Sequence, residues 1–336
     1  MDTSEVMKKG IIADKYAIIE LMARGGMSVL YKARHEPVGR VVAVKMLHSR
    51  LLDSPTTIKR FQQEARAAST LSHPNLITVF DYGVLDGGIP YLVMDFIEGR
   101  SLSEILDDEA SLEPSRAIPI FLQTTQALAH AHEKGVLHRD MKPSNIMITN
   151  ENGNEVVKIV DFGIAKFLPE SGQESTKITM TGDFCGSVAY MSPEHCKALP
   201  LDKRSDVYSM GCVMYETLMG LPPFLSENHL DTMRGHVAGQ AKPFKQQRED
   251  LNIPARLEKI VFKALEKDPG RRHASMDELS EELRSFMDAP QSDHEESALA
   301  AEPDGKQPQQ SNEATRAKGP QKLQDLMTFF KGKPKT

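Results

Sequence analysis

In the stretch VLHRDMKPSNIMITNENGNEVVKIVDFG, two carboxylates, an amide and an amine are spaced so that one reaction could use them all. IMIT and VVKIV have strand composition, and NENGNE between them is a cluster of turn formers, so the segment reads as a hairpin. Folded about Gly153, Asn145 and Asp161 fall opposite each other, each eight residues from the centre. Opposed residues of an antiparallel pair bring their Cβ atoms to roughly 5 Å. A carboxylate and an amide oxygen at that separation suit a magnesium ion, which takes few protein oxygens and completes its shell with phosphate and water. Asp140 and Lys142 precede the hairpin at its open end. A carboxylate there could accept a hydroxyl proton, and an ammonium could offset phosphate charge. Each residue alone also fits a turn or a solvated surface, so the set carries the weight.

A second pair of charges lies upstream. In TIKRFQQEARAASTL, Ile58, Phe61, Ala65, Ala68 and Leu71 form one helical stripe, with Glu64 at its edge. Lys45, in the apolar strand VVAVKML, shares a strand face with Ala43. A charge beside an apolar face needs a partner. The simplest solution pairs Lys45 with Glu64; the plainer one leaves Glu64 edging into solvent. Further upstream, MARGGMSVLYKAR has the look of a loop that lies over phosphates, yet Ala23 and Ser28 occupy the outer positions of G-x-G-x-x-G.

The elements that must position these groups change along the chain. Up to about Phe96 they are mostly strands with one helix: KYAIIELMA and SVLYKARH flank the glycines, and RVVAVKML and PYLVMDF follow. From SLSEIL to Met287 the pattern is mostly helical. PSRAIPIFLQTTQALAHAHEKG opens at Pro114 and closes at Gly135, with Pro119 expected to kink its first turns. DVYSMGCVMYETLMG is a long apolar helix stopped by Gly220. The fold class is therefore α+β and bilobal, a small β-rich lobe before a larger α-helical one, with a cleft between them suited to a ligand.

Composition narrows the function classes. A net charge of −6 gives no global reason to expect nucleic-acid binding. Cys185, Cys196 and Cys212 make no zinc or C-x-x-C spacing, which favours reduced cytosolic thiols. The N-terminal residues lack the apolar core of a signal peptide, and no apolar run is long enough to span a bilayer. Between Ala289 and Gln321 there is no aromatic residue, Ile or Val, so the segment reads as a disordered linker. Beyond it Leu323, Leu326, Met327 and Phe330 make one apolar stripe in a lysine-rich tail.

Taken together and in order, these motifs resemble the eukaryotic-like (Hanks-type) Ser/Thr protein kinases, most closely their bacterial branch, from about Tyr16 to Phe286. The resemblance implies an N-terminal extension over 1–15, a kinase domain over 16–287 divided near 96/97, a linker over 288–321 and a basic amphipathic tail over 322–336. It implies ATP and magnesium as cofactors, with manganese as an alternative ion. VAVK carries Lys45, similar to the lysine that binds the α- and β-phosphates, and Glu64 matches its helix partner. YLVMDFIEG resembles the segment behind adenine, with Met94 at the gatekeeper position followed by Asp95 and Ile97. Leu30 and Ala43, with Ala23, Gly25, Gly26 and Ser28, complete the ATP-binding set that it implies. HRDMKPSN supplies Asp140 to orient and deprotonate a Ser or Thr hydroxyl, Lys142 to stabilise the γ-phosphoryl group, and Asn145. Asn145 and Asp161 of DFG would hold the metal. Ser187 stands where the family usually has threonine. Asp206 resembles the aspartate that braces the catalytic loop. Glu194 of SPE, the counterpart of the commoner A-P-E, is expected to pair with Arg272 as a structural link.

Arg139, before Asp140, resembles the arginine that awaits a phosphate on the activation segment. Thr179 and Thr181 lie seven and five residues before Gly186, the spacing of autophosphorylated threonines in similar bacterial kinases. Ser175 and Thr176 offer further hydroxyls. The resemblance implies protein substrates with Ser or Thr and self-association for trans-autophosphorylation. It brings no nucleic-acid partner, no integral membrane segment and no sensor domain, hence a cytoplasmic place. A weakly active or pseudokinase scaffold that binds partners is the alternative, supported by the departures at Ala23 and Ser28 alone.

Overall fold

The N-terminal sheet forms because its strands carry β-branched and aromatic residues with a period of two. After a short β1 (Ile11–Ile12) come β2 (Tyr16–Arg24) and β3 (Ser28–His35), the hairpin around the two glycines. In β3, Val29, Tyr31 and Ala33 are buried and their neighbours are less so, the mark of a half-buried strand. β4 (Arg40–Leu47) is buried almost throughout, as a central strand must be. The structure is a computed structural model and describes residues 10–52, 54–162, 187–248 and 250–288, without the side chains of Thr56, Arg60 and Glu64.

One helix covers this sheet. Ser54 caps α1 (Pro55–Ser69) by accepting a hydrogen bond from the Thr57 N–H, and Pro55 occupies the first turn, where its missing N–H costs nothing. Phe61 and Ala65 pack with Leu47, Ile77, Leu92 and Met94. β5 (Val79–Val84) and β6 (Pro90–Asp95) complete a sheet of order β1-β2-β3-β4-β6-β5. The strand pattern does not single out β1 or β5. β1 has two residues, and β5 is a half-exposed edge strand carrying Asp81 and Gly83.

β7 (Arg100–Ser101) leads into α2 (Leu102–Glu109), which starts on a reciprocal capping box between Ser101 and Glu104. α3 (Pro114–Glu133) runs on as one helix with Pro119 inside it. β8 (Ile146–Glu151) and β9 (Asn154–Ile159) pair antiparallel, and β7 joins β8 in a three-stranded sheet. Their register differs from a fold about Gly153. Asn152 and Gly153 form a two-residue turn, both with positive φ (54° and 85°), so the centre lies between them and Glu151 faces Asn154. Asn145 consequently lies beside Val160, whose N–H donates to its carbonyl, and not beside Asp161.

The helical part follows as α4 (Pro193–Cys196), α5 (Lys203–Met219), α6 (His229–Ala238), α7 (Phe244–Gln247), α8 (Ala255–Ala264) and α9 (Met276–Asp288). α5 is buried on nearly all sides and forms the axis of the C-terminal core. The two lobes are tied through the connection between α1 and β5. There the Asn75 side chain donates to Gln123 Oε1 and to the Val157 carbonyl, while the Ile159 N–H of β9 donates to the Asn75 carbonyl and the Ile77 N–H donates to the Ile159 carbonyl. Among the described residues no helix is long and apolar enough to cross a membrane. The linker and tail expected beyond residue 288 lie outside the described residues.

Gly220 ends α5 in a left-handed conformation (φ 83°), and a Cβ on it would stand 2.5 Å from the Ala110 carbonyl oxygen. Gly220→Ala combines left-handed strain with a backbone collision, so it should lower unfolding stability by about 2–3 kcal/mol in urea titration.

Candidate active site

A buried carboxylate shapes the loop that carries the predicted catalytic residues. Asp206, in the first turn of α5, is 1% exposed. Its Oδ2 accepts from the His138 N–H (2.8 Å) and pairs with His132 Nε2 (2.7 Å); its Oδ1 accepts from the Arg139 N–H (2.8 Å). Burial by itself would push this carboxyl up. The hydrogen bond and charge of His132, with the Arg139 N–H, outweigh it and hold Asp206 below the ordinary carboxylate range. Arg139 is thereby fixed at φ 65°, a backbone state costing about 1–2 kcal/mol for a non-glycine residue. Burial lowers the His138 imidazole below its ordinary value. Its Nε2 donates to the Val160 carbonyl (3.3 Å) and its Nδ1 faces the Asp140 N–H (3.4 Å).

Beyond this turn the predicted catalytic side chains converge. Lys142 Nζ lies 3.1 Å from Asp140 Oδ2 and donates to Ser187 Oγ at 3.1 Å. Asn145 Nδ2 donates to the Asp140 carbonyl (2.8 Å) and to its Oδ2 (3.3 Å). Asp140 and Asn145 are buried. Across the cleft, Lys45 Nζ donates to Asp161 Oδ1 at 3.0 Å. Asp161 is also left-handed (φ 55°), so backbone strain marks both loops of the site. The Glu64 side chain, and with it the Lys45–Glu64 pair, lies outside the described residues.

The ATP-binding residues expected from sequence fall on two surfaces. Ala43 faces Met94 directly across β4 and β6, and Leu30, Ile97 and Val160 pack in the same apolar cluster. Val160 was not singled out in the sequence, although its place just before Asp161 at the end of an apolar strand is a usable signal. Asp95 follows Met94, with its carboxylate held by Arg40 (2.7 Å) and its N–H donating to the Thr78 carbonyl (3.0 Å). Ala23 sits in β2 with no left-handed backbone, and Gly25, Gly26 and Ser28 form and follow the turn. Thr179 and Thr181 lie outside the described residues.

Two further contacts brace the segment after Ser187. Glu194 and Arg272 form a two-pronged ion pair (2.7 and 2.8 Å) in the C-terminal core, away from the Asp140 cluster. The Tyr190 hydroxyl donates to Glu216 Oε2 at 2.5 Å, inside the core, where burial pushes the Glu216 carboxyl up to about 7.

An antiparallel N-terminal sheet over a helical lobe, with a lysine–aspartate pair across the cleft and an Asp–Lys–Asn cluster beneath it, defines a phosphotransferase-type fold of two lobes. The chain belongs to the protein kinase family, in its bacterial Hanks-type Ser/Thr branch: the protein kinase domain model matches residues 16–283. The chain is 38% identical over 285 residues to the serine/threonine-protein kinase pkn3 of Myxococcus xanthus, covering 84% of this chain and 52% of pkn3. It is 38% identical over 275 residues to PknB of Mycobacterium tuberculosis (strain ATCC 25618 / H37Rv), covering 81% and 43%. The chain thus spans about half the length of these relatives. The crystal structure of the Mycobacterium tuberculosis PknI kinase domain superposes with a TM-score of 0.62 at 25% identity, covering 82% of this chain and 98% of that one.

Burial opposes the charge on Glu194, but the Arg272 guanidinium outweighs it and holds the carboxyl below its usual value of 4.5. The pair therefore contributes stability above pH 4.5 and loses it as pH falls further. Arg272→Met removes the guanidinium and should cost about 3–5 kcal/mol at neutral pH. With most of the opposition to burial removed, the variant should lose less stability on acidification than the parent does. Denaturant titrations at several pH values measure both.

Proposed function

We propose that the chain is an ATP-dependent Ser/Thr protein kinase that transfers the γ-phosphate to protein hydroxyls. The observation that carries this is the convergence of Asp140, Lys142, Asn145 and Ser187 opposite the Lys45–Asp161 pair. In this reading Asp140, buried and hydrogen-bonded by Asn145, orients the substrate hydroxyl and takes its proton. Lys142, seated between Asp140 and Ser187, places its charge where the γ-phosphoryl group passes. Lys45 holds the α- and β-phosphates, and the apolar wall of Leu30, Ala43, Met94, Ile97 and Val160 receives the base.

The donor set fits a hard divalent cation. Among the described residues no cluster of three or more His, Cys, Asp or Glu could hold a metal unaided. Asp161 offers carboxylate oxygens. Asn145 commits its amide nitrogen to Asp140, which leaves its oxygen for an ion completed by phosphate and water. Magnesium, or manganese in its place, would neutralise phosphate charge there.

Regulation and location belong to the same proposal. Arg139 Nε is buried without a hydrogen-bond partner among the described residues, which suits an arginine awaiting an acceptor from the activation segment. Thr179 and Thr181 are the proposed autophosphorylation sites, with self-association for reaction in trans. Domain limits of 16–287, a linker and a basic tail, and a cytoplasmic setting complete it. Among the described residues no structural feature favours the scaffold alternative, since Ala23 lies in β2 beside a register shift but without a left-handed backbone.

Transfer of labelled γ-phosphate from ATP to the protein and to a generic basic substrate tests the assignment. Asp140→Asn should reduce labelling by about 10³-fold or more, and undiminished labelling in that variant would falsify the role of Asp140. Because the Ala23 backbone is extended, Ala23→Gly should change the KM for ATP by no more than about threefold in steady-state kinetics.

A further inference from the structure

We infer that His48 and Arg50 are positioning residues for the phosphates of the nucleotide, an inference that rests on the kinase reading above. Both lie in the connection between β4 and α1, and both reach the tip of the glycine hairpin. His48 Nε2 donates to the Gly25 carbonyl at 2.8 Å. Arg50 Nη2 donates to the Gly26 carbonyl at 2.7 Å. The His48 N–H donates to the Met27 carbonyl at 2.9 Å. Three consecutive carbonyls of the turn are therefore held by residues 48–50.

Peptide geometry gives this arrangement its consequence. A trans peptide is planar, and its N–H points opposite to its C=O. Holding the carbonyls of Gly25, Gly26 and Met27 aims the N–H groups of Gly26, Met27 and Ser28 away from residues 48–50. Successive N–H groups turned to one side of a tight turn make an anion-binding concavity. Gly25 and Gly26 have no side chain by which the turn could be held, and a glycine pair is the softest backbone available. The carbonyls are the remaining handles, and Arg50 adds a permanent positive charge beside them.

The clamp is fixed to the rest of the lobe. The Leu51 N–H donates to the His48 carbonyl (3.0 Å) and the Leu52 N–H to the Ser49 carbonyl (3.1 Å), so residues 48–52 form a tight turn. Leu51 and Leu52 pack against the cluster containing Phe61 and Ala65 of α1. The position of the phosphate turn is thereby coupled to the helix that carries Glu64. The bare alternative is that two exposed hydrogen bonds exchange freely with water and position nothing.

Both are tested with the full chain, comparing the parent with His48→Ala/Arg50→Ala and with the donor-retaining His48→Gln/Arg50→Lys. The measurements are ADP affinity by calorimetry, KM for ATP, kcat and Tm. The double alanine variant should weaken ADP binding and raise KM for ATP by about tenfold, the combined effect of two modest hydrogen bonds. Its kcat should stay within about twofold and its Tm within about 2 °C. The donor-retaining variant should recover most of the affinity. Unchanged ADP affinity and KM in the alanine variant would overturn the inference, as would equal losses in both variants that follow Tm. A parent that neither binds ATP nor transfers phosphate fails the kinase reading and this inference with it. A parent that does both, beside an unaffected alanine variant, fails this inference alone.

Discussion

The site depends on one buried carboxylate. Asp206 accepts two consecutive backbone N–H groups, from His138 and Arg139, and pairs with His132. Without it those donors would be buried and unsatisfied, and Arg139 would have no reason to remain left-handed. Because the carboxylate sits on α5, the most buried helix of the C-terminal lobe, the strain in the loop is set against the whole core. Asp140 then follows in a fixed direction, with Asn145 bonded to both its carbonyl and its carboxylate. The precision of the cluster comes from the backbone of the loop, which α5 dictates.

The N-terminal half of the site is held by other means. Lys45 is placed by the central strand β4, and its partner Asp161 comes from the end of a hairpin in the other lobe. Between them, Asn75 ties the α1–β5 connection to α3 and β9 through Gln123 and Val157. Relative placement of the two charged groups thus leans on hydrogen bonds that neither of them makes. The glycine turn, which has no side chains at its tip, is reached by His48 and Arg50 from the far end of β4. A single strand thereby supplies the lysine, the wall residue Ala43 and the start of the clamp.

Electrostatics divides the buried acids by what faces them. Asp206 and Glu194 stay ionised because histidine, backbone N–H groups or a guanidinium answer the burial. Among the described residues Glu216 is faced by a phenolic hydroxyl, that of Tyr190, and burial raises it to about 7. The first two anchor segments by charge, whereas the third keeps Tyr190 in place by a hydrogen bond that either protonation state can make.

The residue types and their order determined much by themselves. Strand period placed Ala43 and Lys45 on β4, helical period placed the buried stripe of α1, and chain proximity alone brought Asp140, Lys142 and Asn145 together. Such contacts are local, so spacing encodes them. Tertiary structure decided the rest. The register of β8 and β9 follows from a two-residue Asn152–Gly153 turn, and a shift of one residue moved the partner of Asn145 from Asp161 to Val160. The edge strand β5 lacks a sequence pattern because none of its residues is buried, so no alternation of apolar and polar positions is required. The contacts from Asp206, Asn75, His48 and Arg50 join residues far apart in sequence or join side chains to backbone atoms. Backbone carbonyls and N–H groups are the same in every residue, so no residue pattern announces which of them a side chain will hold.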